Sequence, residues 1–232
     1  MKGASRTLRR RSRFLWIGLL ILISLPIGGV LIHALIPPPM TLLMAEQAAK
    51  GAGLDYRWRS LDRISPRLVE AAIAAEDANF CRHDGFDMRA IEKALENNAR
   101  GRRVRGGSTI SQQTAKNVFL WPGRGWIRKG FEAGYTLMIE TVWSKRRIME
   151  VYLNVAEFAP GVYGAEAAAR HWYGKSAEDL TAREAARLAA ILPSPRRYKA
   201  ASPGPYVRRR ASRIQAAMGT VRNDGLASCI RR

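Results

Sequence analysis

One uninterrupted apolar run limits the ways in which this chain can fold. Residues 14–36, FLWIGLLILISLPIGGVLIHALI, form a 23-residue stretch without an acid, a Lys or an Arg. As a helix this run would be about 34 Å long, against a bilayer hydrocarbon core of about 30 Å. A cleaved signal peptide is the alternative, but its apolar region would span only about 7–15 residues, and no A-x-A site follows here. The run therefore predicts an uncleaved membrane anchor.

The net charge of +20 is concentrated at the two ends of the chain. Residues 1–13 hold six basic residues and no acid, and residues 196–232 hold ten basic residues and one acid. By the positive-inside rule, the first cluster keeps the N-terminus in the cytoplasm, so everything after residue 36 faces outward. An external domain argues against nucleic-acid binding, the usual interpretation of such a charge. The remaining basic surface is then available to anionic lipid head groups.

Helical patterns dominate the rest of the chain. PPP at 37–39 ends the anchor, a connector reaches residue 62, and residues 63–232 are predicted to form one domain with a basic C-terminal helix. Cap signals predict helices at 66–78, after Asp87, after Thr109, at 144–154 and after Thr181, and helical patterns predict two more at 127–143 and 205–222. No convincing series of strands appears, so the predicted fold class is mainly α. Cys81 and Cys229 either pair or stay free, and the sequence leaves both possibilities open.

A carboxylate lies where a helix should be apolar. Three apolar residues precede Glu76 by seven, four and three positions, and so share its helix face: Val69, Ala72 and Ile73. Burying a charge is costly, so Glu76 has either a partner or a raised pKa, and a raised pKa suits a general base. The alternative is a buried ion pair with Arg82 or His83. This segment alone does not decide between the two interpretations.

A polar stripe and a second carboxylate follow. Ser108, Gln112 and Lys116 are spaced at i, i+4 and i+8, with Gln113 beside them. Hydroxyl, amide and ammonium groups suit a phosphate or sugar ligand, although a solvated helix face is the more common origin of such a stripe. Downstream, Glu132 shares a face with apolar neighbours and follows three basic residues: Arg124, Arg128 and Lys129. Two carboxylates with cationic groups are typical of glycosidic-bond chemistry.

Five motifs occur in a fixed order over about residues 54–195. They are EDANFCRHDGFD, GGSTISQQTAKN, RKGFE, KRRIMEVYLN and GVYGAEAAARHWYGK. Together they resemble the family 51 glycosyltransferases, which polymerise peptidoglycan, and are close to the monofunctional biosynthetic transglycosylases of that family. The departures are small: Cys81 and Arg82 fill variable positions, and Met149 stands where an aliphatic residue is usual. The resemblance implies a lysozyme-like, two-lobed helical domain with a larger head and a smaller membrane-facing jaw.

The resemblance also implies a reaction and a role for each site residue. The substrate would be lipid II, polymerised into β-1,4-linked glycan with release of undecaprenyl pyrophosphate. Because no S-x-x-K motif occurs, we expect no transpeptidase activity. Glu76 is expected to be the catalytic base and Glu132 to assist the leaving group, while Asp77 and His83 support Glu76. The residues expected to bind substrate are Ser108, Thr109, Gln112, Gln113, Lys116, Asn117, Arg124, Arg128 and Lys129.

The expected surroundings of the enzyme follow from the same resemblance. A divalent cation, Mg or Mn, is the one candidate cofactor, held at the pyrophosphate with Glu132 as its candidate ligand. The expected partners are the growing glycan chain, membrane lipids and proteins of cell division or elongation, and the expected location is the bacterial inner membrane with a periplasmic domain. Four side chains are expected either to contact the membrane or to pack in the core: Phe119, Leu120, Trp121 and Trp126. A lytic muramidase and a membrane-anchored wall-binding scaffold are the alternative functions.

Overall fold

The computed structural model describes residues 16, 21, 24–99, 107–123 and 125–230. Within this part of the chain the fold is mainly helical, as predicted. The first helices are α1 at 24–35, α2 Leu42–Ala49, α3 Pro66–Glu76, α4 Met88–Ala99 and α5 Ile110–Phe119. The later helices are α6 Trp126–Val142, α7 Lys145–Val155, α8 Ala165–Tyr173, α9 Ala182–Ile191 and α10 Pro205–Asn223. Short 3₁₀ turns occupy Leu61–Arg63, Phe80–Arg82, Ala177–Asp179 and Ser228–Ile230.

The helices begin where the cap signals predicted. Thr109 and Thr181 both form complete capping boxes, and the Ser65 and Ser144 side chains accept backbone N–H groups of the first turns of α3 and α7. Asp87 accepts from the Ala90 N–H at 2.9 Å, which fixes the start of α4. The predicted ends are less accurate, and the helix expected over 66–78 ends at Glu76. Asp77 leaves the helical conformation, with φ −159° and ψ 77°, and its side chain contacts the start of α5.

A small sheet was absent from the sequence prediction. It has three strands, β1 Asp55–Tyr56, β2 Glu157–Ala159 and β3 Val162–Tyr163, in the order β1-β3-β2. The pair β1–β3 is parallel and the pair β2–β3 is antiparallel. Strands of two or three residues are too short to show an alternating pattern, which is why no signal for them appears in the sequence, and the predicted mainly α class still holds.

Two groups of helices position the candidate site. In one group, α3, α9 and α10 pack on each other, and in the other α5 packs against α6 and α7. Glu76 ends α3 and faces α5, so the two groups meet at this carboxylate. Its predicted neighbours on the helix face are buried: Val69, Ala72 and Ile73. The site is therefore built on rigid helices whose apolar faces form the core.

The predicted anchor can be described only in part. Residues 1–15, 17–20 and 22–23, which include the basic N-terminal cluster, lie outside the described residues. Among those that are described, no helix is both long enough and apolar enough to cross a membrane. The end of α1 is attached to the domain, since the Trp143 indole donates to the Val30 carbonyl at 2.8 Å and Arg147 donates twice to the His33 carbonyl at 3.0 Å.

The two cysteines pair. Cys81 and Cys229 form a disulfide with their Cα atoms 5.5 Å apart, across 148 residues of sequence. The bond joins the 3₁₀ turn Phe80–Arg82, inside the first motif, to the segment that follows α10. Of the two possibilities that the sequence left open, the structure selects the bridged one.

Candidate active site

The Glu76 carboxylate is held from two sides. Its Oε2 accepts a hydrogen bond from the Gln113 amide at 3.1 Å, and its Oε1 accepts one from the Arg210 guanidinium at 3.1 Å. Burial raises the pKa of Glu76, while the Gln113 hydrogen bond and the charges of Arg210 and Lys116 oppose that shift. The alternative interpretation offered Arg82 or His83 as ion-pair partners, and the ion pair of Glu76 is with Arg210 instead. The cation comes instead from α10, 134 residues further along the chain.

Asp77 connects the first motif to the start of α5. Its carboxylate accepts the Ile110 backbone N–H at 3.0 Å and contacts the His83 Nε2 at 2.9 and 3.1 Å. A carboxylate at a helix N-terminus satisfies an unpaired N–H and interacts favourably with the helix dipole. Asp77 therefore fixes the distance between α3, which carries Glu76, and α5, which carries Gln113 and Lys116. His83 holds Asp77 in place.

The polar residues predicted at the start of α5 and along it differ in their burial and in their partners. Thr109 and Gln112 are buried, and each accepts a backbone N–H of the other in the capping box at 3.0–3.1 Å. The Thr109 hydroxyl also donates to the Gly85 carbonyl at 2.6 Å. These two residues thus shape the helix start, and their contact with substrate stays a prediction. Ser108 is exposed, and Gln113, Lys116 and Asn117 are half-buried.

Lys116 interacts electrostatically with both carboxylates. Burial lowers the pKa of its ammonium group, and the nearby charges of Arg128 and Lys129 act in the same direction. The charges of Glu132 and Glu76 oppose this shift and favour the protonated form. A cation that senses both carboxylates is suited to a ligand that carries negative charge between them.

Glu132 lies inside a cationic cluster on α6. The side chain is buried, with one oxygen paired to Lys129 and the other 3.7 Å from the Arg128 guanidinium. Arg124, the third predicted cation, lies outside the described residues. Glu132 therefore orients two positive side chains.

The surroundings of Glu132 do not fit a cation held by the protein alone. Within the described part of the chain, no group of three or more His, Cys, Asp and Glu side chains could hold a metal ion. Both Glu132 oxygens face positive side chains, which leaves this carboxylate poorly placed as a ligand for a divalent cation.

Sequence reasoning missed Arg210. The signal that identified Glu76 applies to it as well, because Arg210 lies three residues after Val207 and four before Ile214, both of them buried. A charged residue on the apolar stripe of α10 thus matches a charged residue of opposite sign on the apolar stripe of α3. The pairing between the two helices was not visible in the sequence.

Comparison with known proteins identifies the family. A model of the family described as transglycosylase matches residues 45–219. The chain belongs to this family. The resemblance drawn from the five motifs is therefore confirmed, and every predicted site residue of this transglycosylase, together with Arg210, lies within the matched range.

Its relatives match it over nearly their whole length. A biosynthetic peptidoglycan transglycosylase of Caulobacter vibrioides is 57% identical over 226 residues, which cover 97% of this chain and 99% of the relative. The protein of the same name from Rhodospirillum centenum is 53% identical, with 99% and 98% covered. One from Jannaschia is 51% identical, with 94% and 89% covered.

Proposed function

We propose that this transglycosylase is a peptidoglycan glycosyltransferase that polymerises lipid II into β-1,4-linked glycan strands for cell wall synthesis, releasing undecaprenyl pyrophosphate. One observation carries the proposal. A largely enclosed carboxylate with a raised pKa, Glu76, interacts electrostatically with Lys116, and the charge of Lys116 also interacts with the cationic cluster around Glu132. The site thus combines a proton acceptor with positive charge for a pyrophosphate leaving group.

The chemical step follows from this arrangement. The 4-hydroxyl oxygen of the acceptor sugar attacks the anomeric carbon of the donor, and Glu76 accepts the hydroxyl proton. The bond between the anomeric carbon and the pyrophosphate oxygen breaks, and its electron pair leaves with the pyrophosphate. Attack from the opposite face inverts the configuration from α to β.

The leaving pyrophosphate needs positive charge that is already in place. Lys116, Arg128 and Lys129 supply it, and Glu132 keeps Arg128 and Lys129 oriented through its ion pairs. Preorganised charge of this kind stabilises the transition state because it requires no rearrangement during the reaction. Glu132 therefore assists departure of the leaving group through the cations that it holds.

Glu76→Gln tests the role of the base. The variant keeps the shape of the side chain and the Gln113 contact region but removes the proton acceptor, so we expect polymerisation to fall by about 10²–10⁴-fold. The measurement is gel analysis of glycan chains made from labelled lipid II by detergent-solubilised protein, with circular dichroism to check folding. The matched control is Glu178→Gln, the same chemical change at an exposed carboxylate.

Two results would contradict the proposal. Near-normal glycan synthesis by folded Glu76→Gln would remove Glu76 as the base. Release of soluble fragments from purified peptidoglycan by the wild-type protein, without polymerisation of lipid II, would indicate a lytic muramidase instead.

We also propose that the enzyme lies at the periplasmic face of the inner membrane, anchored once by residues 14–36, with α5 and α6 forming the jaw and α3, α9 and α10 the head. The support is an exposed apolar surface on α6 and α1. Trp126 is 93% exposed and Ile127 77% exposed at the start of α6. Other exposed apolar side chains on these helices and directly after α1 are Leu31, Leu35, Ile36, Phe131, Leu137 and Val142. Exposed apolar patches of this kind typically contact membranes or partners.

The four residues expected to contact either membrane or core fall into two pairs by their exposure to solvent. Leu120 is buried, and the Phe119 ring stacks on Tyr135 at 4.6 Å, so these two belong to the core. Trp121 and Trp126 are exposed and remain candidates for membrane contact.

Vesicle binding tests the apolar surface. We expect Trp126→Ser to weaken binding of the protein to anionic phospholipid vesicles, because an exposed indole contributes apolar area at the interface. Tyr206→Ser on α10, an exposed aromatic away from this surface, should leave binding unchanged. Equal binding by both variants would argue against α6 as the membrane contact.

A further inference from the structure

Arg210 makes the most direct ionic contact with the Glu76 carboxylate. Its Nη2 lies 3.1 Å from Glu76 Oε1 and 3.5 Å from the Ala75 carbonyl oxygen. The two side chains are largely enclosed, with 27% of the Arg210 side chain and 15% of the Glu76 side chain exposed. An ion pair with so little access to water is screened weakly, so its effect on the carboxylate is larger than that of a surface pair.

The contact fixes both the direction and the charge of the carboxylate. Arg210 holds one oxygen and Gln113 holds the other, so the carboxylate plane is set by groups on α10 and α5. Each carboxylate oxygen has two acceptor positions, so each still has one free for a sugar hydroxyl. The cation also offsets the cost of keeping this buried group ionised.

The fold holds Arg210 in this position. α10 packs on both α3 and α9, and the residues that flank Arg210 on its inner face, Val207, Ala211 and Ile214, are buried. Beyond α10, Cys229 is bonded to Cys81, which lies in the turn after the Glu76 helix. The Arg210 guanidinium is therefore held by a rigid helix, α10. The segment after this helix is disulfide-bonded to the turn that follows Glu76.

We propose that Arg210 is a positioning residue for Glu76, which keeps the carboxylate ionised and oriented to accept the proton of the acceptor hydroxyl. This inference rests on the proposed role of Glu76 as the base. It assigns a purpose to the C-terminal helix, which none of the five sequence motifs includes.

Several charged and titratable groups face Glu76 and must be considered together. Gln113 and Lys116 approach from α5, and Asp77 follows Glu76 directly in the chain. From α7, the buried Tyr152 hydroxyl interacts electrostatically with both Glu76 and Arg210. Among the cations, Arg210 lowers the pKa of Glu76 more than Lys116 does. Removal of Arg210 should therefore be visible in the titration of the base.

The test is the pH dependence of kcat/KM for labelled lipid II, measured on the full chain in detergent. For Arg210→Met we expect at least a tenfold loss near neutral pH, and an acid limb displaced upward by about one pH unit or more. Activity should partly recover at alkaline pH, where Glu76 ionises without help. Arg210→Lys, which keeps the charge, should leave the acid limb closer to that of the wild type.

The control is Arg209→Met, the same change at the adjacent exposed position of α10. It should leave both rate and pH profile unchanged. A loss in Arg210→Met that is equal at every pH would indicate a structural role only, and would overturn the proposal. An unchanged rate and profile would overturn it as well.

The Glu76→Gln variant separates this proposal from the one on which it rests. If Glu76→Gln is active, the base assignment fails, and the role of Arg210 fails with it. If Glu76→Gln is inactive and Arg210→Met keeps the wild-type profile, the role of Arg210 alone is wrong. In the Glu76→Gln background, Arg210→Met should cause no further loss of residual activity, since a positioning residue has nothing left to position.

Discussion

Lys116 is the residue through which the two carboxylates of the site are coupled. It is half-buried, and its charge interacts with both Glu76 and Glu132. We expect Lys116→Ala to lower kcat for lipid II polymerisation by about 10²–10³-fold, because a preorganised charge at the leaving group is lost. Lys50→Ala, at an exposed lysine of the connector, provides the control. Unchanged kinetics in Lys116→Ala would remove this residue from the pyrophosphate site.

Glu166 is a buried carboxylate with a purely structural set of partners. It accepts hydrogen bonds from the Ala177 N–H at 2.9 Å, from Arg170 at 2.7 Å and from Arg59 at 3.2 Å. Burial alone would raise its pKa, but these hydrogen bonds outweigh burial and lower the pKa to about 2. A lowered pKa stabilises the fold above the pKa of the unfolded chain, about 4.3, and this contribution is lost as the pH falls towards 2.

We therefore expect Glu166→Gln to lower the free energy of unfolding by about 3 kcal/mol at pH 7. The difference from the wild type should shrink as the pH falls from about 4.3 to about 2. Chemical denaturation at several pH values measures both quantities. A deficit that stays constant across this range would mean that the charge of Glu166 does not contribute.

Single residues also show how much of the candidate site could be predicted from the sequence. Helix periodicity alone showed that Glu76 lies on an apolar stripe, because this is a local pattern, but its expected role as a base came from the family resemblance. The candidate ion-pair partners were the nearby Arg82 and His83, since nothing in the sequence relates Glu76 to a residue 134 positions away. The role of Thr109 and Gln112 was predicted only in part. The capping box was recognised in the sequence, but the same side chains were also expected to bind substrate.

At the scale of elements, the turn between β3 and α8 depends on a glycine. Gly164 has φ +84°, and a Cβ there would lie 2.6 Å from the Asn154 carbonyl oxygen, which is fixed backbone. Asn154 in turn holds the chain at Arg59 through two hydrogen bonds of 2.8 Å. This close approach joins α7, α8 and the segment after β1.

We expect Gly164→Ala to cost about 2–5 kcal/mol, from left-handed strain and the backbone clash together. The control is Gly174→Ala, since Gly174 has φ +68° but nothing within 4 Å of the added carbon. It should cost only about 1–2 kcal/mol. Thermal unfolding followed by circular dichroism compares the two, and equal losses would show that strain alone acts at Gly164.

Helices were predicted and strands were not because the signals for the two kinds of element extend over different distances in the sequence. Caps such as Ser65, Thr109 and Thr181 act on the next three residues, so their signals are contained in a short stretch of sequence. The strand β3 has two residues, and Gly161 directly before it approaches the Ala52 backbone closely. That approach is a tertiary contact, which no local pattern encodes.

At the scale of the whole molecule, the disulfide between Cys81 and Cys229 closes most of the domain into one loop. A bond across 148 residues restricts the unfolded chain strongly, and native disulfides contribute about 2–5 kcal/mol. We expect the double variant Cys81→Ala, Cys229→Ala to lower Tm by about 4–20 °C. Dithiothreitol should lower Tm in the wild type but not in the variant. Equal sensitivity of both proteins to the reductant would contradict this role.

The attachment of α1 has a practical consequence for work with shortened forms of the protein. Removing everything up to residue 36, the simplest way to improve handling in solution, would also remove Val30, which is only 1% exposed within the core. The Trp143 indole and the Arg147 guanidinium would lose their carbonyl acceptors at the same time. A cut before residue 24 keeps these contacts, so a form shortened there retains the packing of α1 against α6 and α7.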